Sequence, residues 1–225
     1  MGIVSISDLI LYSDAEIIII NKPSGLPVLP DGWEEDSHPL VRLLEEQVGK
    51  TWLVHRLDKI TSGVMVFARA AEAHRTLSIQ FEQRLTQKVY HAIVIGSPRW
   101  QETTARHPLR ADAGHSHRTV VDERLGKPSE TVFRVLQRFK GYCLLEAIPR
   151  TGRTHQIRAH AAAIGFPLLA DRLYHSPATV LISRPALHAE SLAFLHPSSG
   201  ERVIFRAPYP VDFQNCLAQL AILDK

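Results

Sequence analysis

Cysteine is scarce in this chain, and the scarcity excludes a good deal. Cys143 and Cys216 are the only two in 225 residues and stand far apart, so neither a disulfide framework nor a thiolate metal cluster can be assembled from them. Both are expected as buried thiols in a reducing, cytoplasmic compartment. Long apolar runs are missing too. The best of them, Ala161 to Ala170, is short and interrupted by Gly165 and Pro167, which argues against a membrane span. The first residues carry no basic-then-apolar leader, and Ile6 stands where a myristoylation signal wants Ser or Thr. A soluble protein with no membrane partner is expected.

A strong charge of either sign is absent as well. Lys and Arg number 26 against 23 Asp and Glu, a net +3, which permits an anionic partner without demanding one. No two glycines stand in G-x-G spacing, Asp-Phe-Gly does not occur, and Gly49-Lys50-Thr51 has Leu44 where a phosphate loop needs its first glycine. His55-Arg56-Leu57-Asp58 superficially looks like a kinase catalytic loop, but a phosphotransferase would need those missing parts. Without G-x-S-x-G a serine hydrolase is no better supported. Fixed-period repeats and low-complexity tracts are also lacking, which excludes solenoids and linkers.

What remains is an ordinary globular composition, 45% apolar, long enough for one catalytic domain over 1–225 or for two lobes sharing a cleft. Ile17 to Ile20 is a β-branched run feeding the rigid loop Asn21-Lys22-Pro23-Ser24-Gly25-Leu26-Pro27, a buried strand followed by a turn. Ser37 before His38-Pro39 predicts a helix start, Leu40, Leu44 and Val48 one helical face, and Gly49 its end. Ala73, Leu77, Phe81 and Leu85 form a second helical stripe, with Arg75, Glu82 and Arg84 off it. Val89, His91, Ile93 and Ile95 alternate with Tyr90, Ala92 and Val94, and strand patterns recur at Glu130–Phe139, Tyr142–Ile148 and Arg202–Ala207. Residues 99–126 read as a mobile loop or short hairpin. The expected class is α+β, a mostly antiparallel mixed sheet with flanking helices in two lobes around a catalytic cleft.

Two polar clusters can carry chemistry. The first, His55-Arg56-Leu57-Asp58-Lys59-Ile60-Thr61-Ser62-Gly63, ends where the apolar Val64-Met65-Val66-Phe67-Ala68 begins. An Asp among basic neighbours at the mouth of a buried strand is a candidate reactive carboxylate. Read alone, it is equally a turn carboxylate paired with Arg56 or Lys59. The second is Arg150-Thr151-Gly152-Arg153-Thr154-His155-Gln156-Ile157-Arg158-Ala159-His160, where Thr154 can cap a helix with Ile157, Ala161 and Ile164 on one face and Gly165 at its end. His115-x-His117 and the pair His155 and His160 suggest a metal site. No Cys or carboxylate completes a ligand set, and a spacing of five on a helix puts side chains about 140° apart, so no metal is expected.

His55-Arg56-Leu57-Asp58-x-x-Thr61-Ser62-Gly63 resembles the catalytic motif of the RluA family of RNA pseudouridine synthases. Phe81-x-x-Arg84-x-x-x-Lys88-x-Tyr90-x-Ala92-x-Val94-x-Gly96 and Gly152-Arg153-Thr154-His155-Gln156-Ile157-Arg158 resemble two further motifs of that family. The Asn21–Leu26 loop, Gly126-Lys127-Pro128-Ser129-Glu130-Thr131 and Leu187-His188-Ala189 before His196-Pro197 also follow its order.

The resemblance implies isomerisation of uridine in RNA to pseudouridine without a cofactor. It gives Asp58 as the catalytic carboxylate, Tyr90 as the proton acceptor or donor, and Arg158 as the partner that keeps Asp58 ionised. The nucleotide must leave its stack, and Arg56 is the candidate to fill the gap, since a planar guanidinium can stack where a base was. His55, Lys22, Arg84, Lys88 and Arg153 complete the expected RNA-binding set. Asn21 comes so early that no N-terminal RNA-binding domain is expected, which suits a monomer acting on a small stem-loop of tRNA or ribosomal RNA. The competing reading is a non-catalytic RNA-binding module of the same fold.

Overall fold

The structure is a computed structural model describing residues 5–30, 38–113 and 118–224. In chain order its elements are β1 (Ile10–Ser13), β2 (Ile17–Lys22), α1 (Leu40–Val48), β3 (Trp52–Leu53), β4 (Ser62–Ala68), α2 (Ala71–Glu82), β5 (Gln87–Ile95), β6 (Glu102–Ala105), β7 (Leu109–Ala113), β8 (Arg118–Val121), β9 (Thr131–Phe139), β10 (Tyr142–Pro149), α3 (Gln156–Ala163), β11 (Leu187–Leu195), β12 (Arg202–Arg206) and α4 (Val211–Leu223). The class is α+β with a mixed, mostly antiparallel sheet, as expected. The chain divides into two compact units, Met1–Lys88 with Ala189–Pro208, and Val89–His188 with Tyr209–Lys225.

In the first unit the strand order is β1-β2-β4-β11, with β12 on β11 and β3 on β4. Ile17 to Ile20 and Met65 to Ala68 are all fully buried, so β2 and β4 are covered on both faces and read as unbroken apolar runs. Each such side chain contributes about 1.5–3 kcal/mol relative to exposure. Their antiparallel register sets Ile20 against Met65 and Lys22 against Gly63, which brings the loop after β2 beside the segment that enters β4. Helix α1 buries Leu40 and Leu44 and ends at Gly49, whose φ is +80°. Ser37, the expected helix start, lies outside the described residues, and Pro39 stands at the N-cap.

Helix α2 is shorter than its stripe predicts. It stops at Glu82, Arg84 turns left-handed at φ +60°, and Leu85 is 54% exposed. Gln80 is buried instead, its carboxamide exchanging two 2.8 Å hydrogen bonds with the backbone of Leu195 on β11.

In the second unit the order is β5-β10-β9-β6, and β7 and β8 form a separate two-stranded sheet, the hairpin expected within 99–126. One face of the β5–β10 sheet packs Ala92, Val94, Leu145 and Ala147 against Ile157 and Ala161 of α3. The other packs Ile93 and Leu144 against Phe213, Cys216 and Leu220 of α4. Both faces of β5 are therefore core. The alternation of Val89, His91, Ile93 and Ile95 with Tyr90, Ala92 and Val94 describes two buried faces. Ile157, Ala161 and Ile164 do share the buried side of α3, and Gly165, at φ +87°, follows its end. The expected Thr154 cap is absent. His155 takes the N-cap position in a left-handed conformation, φ +50°, without a side-chain cap bond.

Candidate active site

In the first unit Asp58 rides on a turn closed by the Thr61 N–H donating to the Asp58 carbonyl at 3.0 Å. The loop after β2 holds that turn from outside. The Gly25 N–H donates to the Lys59 carbonyl at 2.8 Å, and Ser24 Oγ donates to the Ile60 carbonyl at 2.7 Å. Lys22 Nζ donates to the carbonyls of Pro23, Leu26 and Lys59 at 2.9, 2.9 and 3.1 Å. Lys22 was expected to follow the RNA backbone. It is 0% exposed, and an ammonium is buried only where acceptors replace its water, so its work is to fasten the loop to the Asp58 turn.

Gly63 closes the motif for a steric reason. Its φ is +121°, and a Cβ there would lie 2.2 Å from the Ala189 carbonyl oxygen on β11. Only glycine lets the strand after Asp58 pass that backbone. Leu57, Thr61 and Ser62 are buried, Asp58 is half-buried, and Arg56 is exposed. Arg56 is therefore the side chain of this turn that solvent, or a nucleic acid, meets first.

His55 serves the fold. Its Nε2 accepts the Val66 N–H at 3.1 Å, and its ring stacks on Phe81 with centroids 4.6 Å apart. An acceptor nitrogen carries no proton, so the imidazole is neutral. Burial pushes its pKa down to about 3, with Lys88 adding to the effect. Expected as an RNA contact, His55 brings no charge to one. Lys88 is half-buried and its pKa is lowered by desolvation and then by Arg84, whereas Arg84 is exposed.

In the second unit Arg158 projects from α3 and is 4% exposed. Its Nε donates to Asp171 Oδ2 at 2.7 Å and its Nη2 to Asp171 Oδ1 at 2.8 Å. Its Cζ lies 5.1 Å from the centroid of Tyr174. A bidentate guanidinium–carboxylate pair fixes orientation as well as charge, so Arg158 is held by Asp171, a residue sequence reading did not single out. The available signal was a carboxylate following the apolar Leu168-Leu169-Ala170, an unusual place for an unpaired charge. Tyr90, on β5, is half-buried and packs on the α3 side of the sheet among Ala92, Val94 and Ile157. Arg153 is half-buried just before α3, its Nε buried without a hydrogen-bond partner.

The Gln156 side chain ties the loop before α3 to the start of β9. Its Oε1 accepts from Thr151 Oγ1 at 2.7 Å and from the Arg153 N–H at 3.0 Å. Its Nε2 donates to the Glu130 carbonyl at 2.9 Å and to Thr131 Oγ1 at 3.0 Å. His160 extends the chain, with Nδ1 2.8 Å from Thr131 Oγ1 and Nε2 3.0 Å from the His107 carbonyl. A carbonyl only accepts, so Nε2 carries the proton and Nδ1 accepts from Thr131. Burial lowers the His160 pKa, which keeps the ring neutral. His160 is thus a structural donor and acceptor. Among the described residues no group of three or more His, Cys, Asp or Glu could hold a metal, and His115 and His117 lie outside them. No helix among the described residues is long and apolar enough to cross a membrane.

These features coincide with a known class of RNA-modifying enzyme. The profile of the RNA pseudouridylate synthase family matches residues 16–163. The chain is 38% identical over 201 residues to the dual-specificity RNA pseudouridine synthase RluA of Escherichia coli, covering 88% of this chain and 92% of that protein. It is 39% identical over 220 residues to the ribosomal large subunit pseudouridine synthase D of Nitrosomonas europaea, covering 90% and 62%. Among solved structures, human RNA pseudouridylate synthase domain containing 4 superimposes with a TM-score of 0.80 at 25% identity over 96% of this chain and 94% of that one. The chain belongs to the RluA family of RNA pseudouridine synthases, isomerases that act on RNA.

Proposed function

We propose that the protein converts uridine to pseudouridine in stem-loops of tRNA, ribosomal RNA or both, with Asp58 as its catalytic carboxylate. The observation that carries this reading is the Asp58 turn, fixed from outside by Lys22, Ser24 and Gly25 through the carbonyls of Lys59 and Ile60. Anchoring through the backbone gives the carboxylate a fixed position, as a reacting group requires.

Rearrangement breaks the bond from the sugar to the uracil nitrogen and forms one from the sugar to a uracil carbon. Asp58 acts at the sugar or the base, and Tyr90 takes or gives the proton that moves when the carbon-linked product forms. Arg158 is the guanidinium partner assigned to Asp58. The nucleotide is extruded at a cost of a few kcal/mol, and the exposed Arg56 stacks in the vacated space. Arg84, Lys88 and Arg153 contact the RNA backbone. Similarity to ribosomal large subunit pseudouridine synthases supports a ribosomal target.

The test maps pseudouridine in total RNA from cells with and without the protein and repeats it with Asp58→Asn. Sites that vanish in both the deletion and the variant, while the variant still binds RNA, are expected. Full modification by Asp58→Asn defeats the assignment, and an unchanged map supports a non-catalytic RNA-binding module instead.

A further inference from the structure

We propose that Tyr174 is a positioning residue for Arg158, its ring fixing the guanidinium and its hydroxyl tying that guanidinium to the β7–β8 hairpin; this rests on the reading of Arg158 as a functional cation. Tyr174 and Asp171 belong to one short turn. The Tyr174 and Ser176 N–H groups both donate to the Asp171 carbonyl at 3.0 Å. Ala170 at φ +63° and His175 at φ +67° bracket the turn. Left-handed conformations in two non-glycine residues persist where surrounding contacts over-determine them. The carboxylate grips two nitrogens of Arg158 while the ring from the same turn covers its face, so the guanidinium is held in plane and out of plane by one rigid piece.

The hydroxyl reaches elsewhere. It accepts the Thr119 N–H at 3.1 Å and donates to the Thr119 carbonyl at 3.0 Å, occupying both backbone groups of a residue on β8. Thr119 Oγ1 then donates to the Thr154 carbonyl at 2.8 Å, just before α3. Tyr174 also packs with Leu109 of β7 and Ala159 of α3. A two-stranded hairpin outside the main sheet is marginal by itself, so these contacts supply much of what holds it. They end on the residue that covers Arg158. A displacement of the hairpin therefore reaches the guanidinium through one side chain, and RNA that orders the hairpin also orders Arg158.

Two variants separate ring from hydroxyl. Tyr174→Leu removes both, and Tyr174→Phe keeps the ring. Arg158 Nε–H is followed by 15N NMR without any reaction, Thr119 by amide hydrogen exchange, and pseudouridine formation by kcat and KM on RNA that the wild type modifies. Tyr174→Leu is expected to lose the ring-current shift at Arg158 and to lower kcat by at least about tenfold, as a misplaced group does, with a smaller change in KM. Tyr174→Phe is expected to keep that shift and to recover most of the lost kcat. Its Thr119 amide should exchange faster and its KM rise. An unmoved Arg158 resonance in Tyr174→Leu, equal losses of kcat in both variants, or unchanged Thr119 protection in Tyr174→Phe overturns the proposal, the last even if Tyr174→Leu fails to fold. Full activity of Arg158→Ala, with the NMR changes as expected, would defeat the functional reading of Arg158 while leaving the geometric coupling intact.

Discussion

The backbone N–H of Val66 donates to Nε2 of His55, and that one bond makes the residue opening the Asp58 motif a neutral acceptor. In an unfolded chain its imidazole titrates near pH 6.5, in the fold near 3. The native state therefore binds fewer protons below pH 6.5. The stabilisation from neutral His55 is complete above that pH and is lost as pH falls towards 3, at up to about 1.4 kcal/mol per pH unit. His160, lowered by burial, acts in the same direction. His55→Gln offers an acceptor that does not titrate. Urea midpoints measured from pH 7 to 4 should fall less steeply in that variant, and an identical slope would rule the mechanism out.

Arg158 and Asp171 are 4% and 0% exposed, so removing one leaves the other charged in a low-dielectric site. Asp171→Ala should destabilise the fold by about 3–5 kcal/mol. Because the same carboxylate aims the guanidinium, pseudouridine formation should fall even at temperatures where the variant is folded. Chemical denaturation and single-turnover assays check the two effects separately, and a variant of wild-type stability would mean that the pair is solvated.

How much of this was legible in sequence follows from the range of the interactions. Periodicity located β2, β4, β5, β9, β10, β12 and α1 because burial on a sheet or helix face repeats locally. It overshot α2, where no Gly or Pro marks the stop and Arg84 turns the chain left-handed. It passed over β11, which is buried on both faces, and over α4, although Phe213, Cys216 and Leu220 stand at helical spacing. Asp58 and Arg158 were visible as motif residues, but what holds them was not. Lys22 looks like any surface lysine until the carbonyls of Leu26 and Lys59 surround it. Two partners of Gln156 lie 25 and 26 positions away, and Asp171 lies 13 beyond Arg158.

Gly63 and Gly25 both have positive φ, +121° and +87°, but only Gly63 faces another backbone. Gly25→Ala, with nothing within 4 Å of its added methyl, should cost only the conformational preference, about 1–2 kcal/mol. Gly63→Ala must in addition push β4 from Ala189 and should cost several times as much, appearing as insoluble protein or a much lower urea midpoint. Equal costs would mean that the β4–β11 approach is looser than described.

Salt dependence distinguishes cations that meet RNA from cations that build the fold. Each phosphate neutralised by Lys or Arg releases counterions and steepens the fall of log K with log salt by roughly 0.7–0.9. Arg56 and Arg84 are exposed, so Arg56→Ala and Arg84→Ala should each weaken binding of bulk tRNA and reduce the slope by about 1. Lys22 is fully buried with its ammonium on three carbonyls. Lys22→Met should therefore leave the slope unchanged in the folded protein while lowering the urea midpoint, since three acceptors lose their donor in a closed site. A slope reduced by Lys22→Met and left intact by Arg56→Ala would reverse the division between the two and return Lys22 to the RNA.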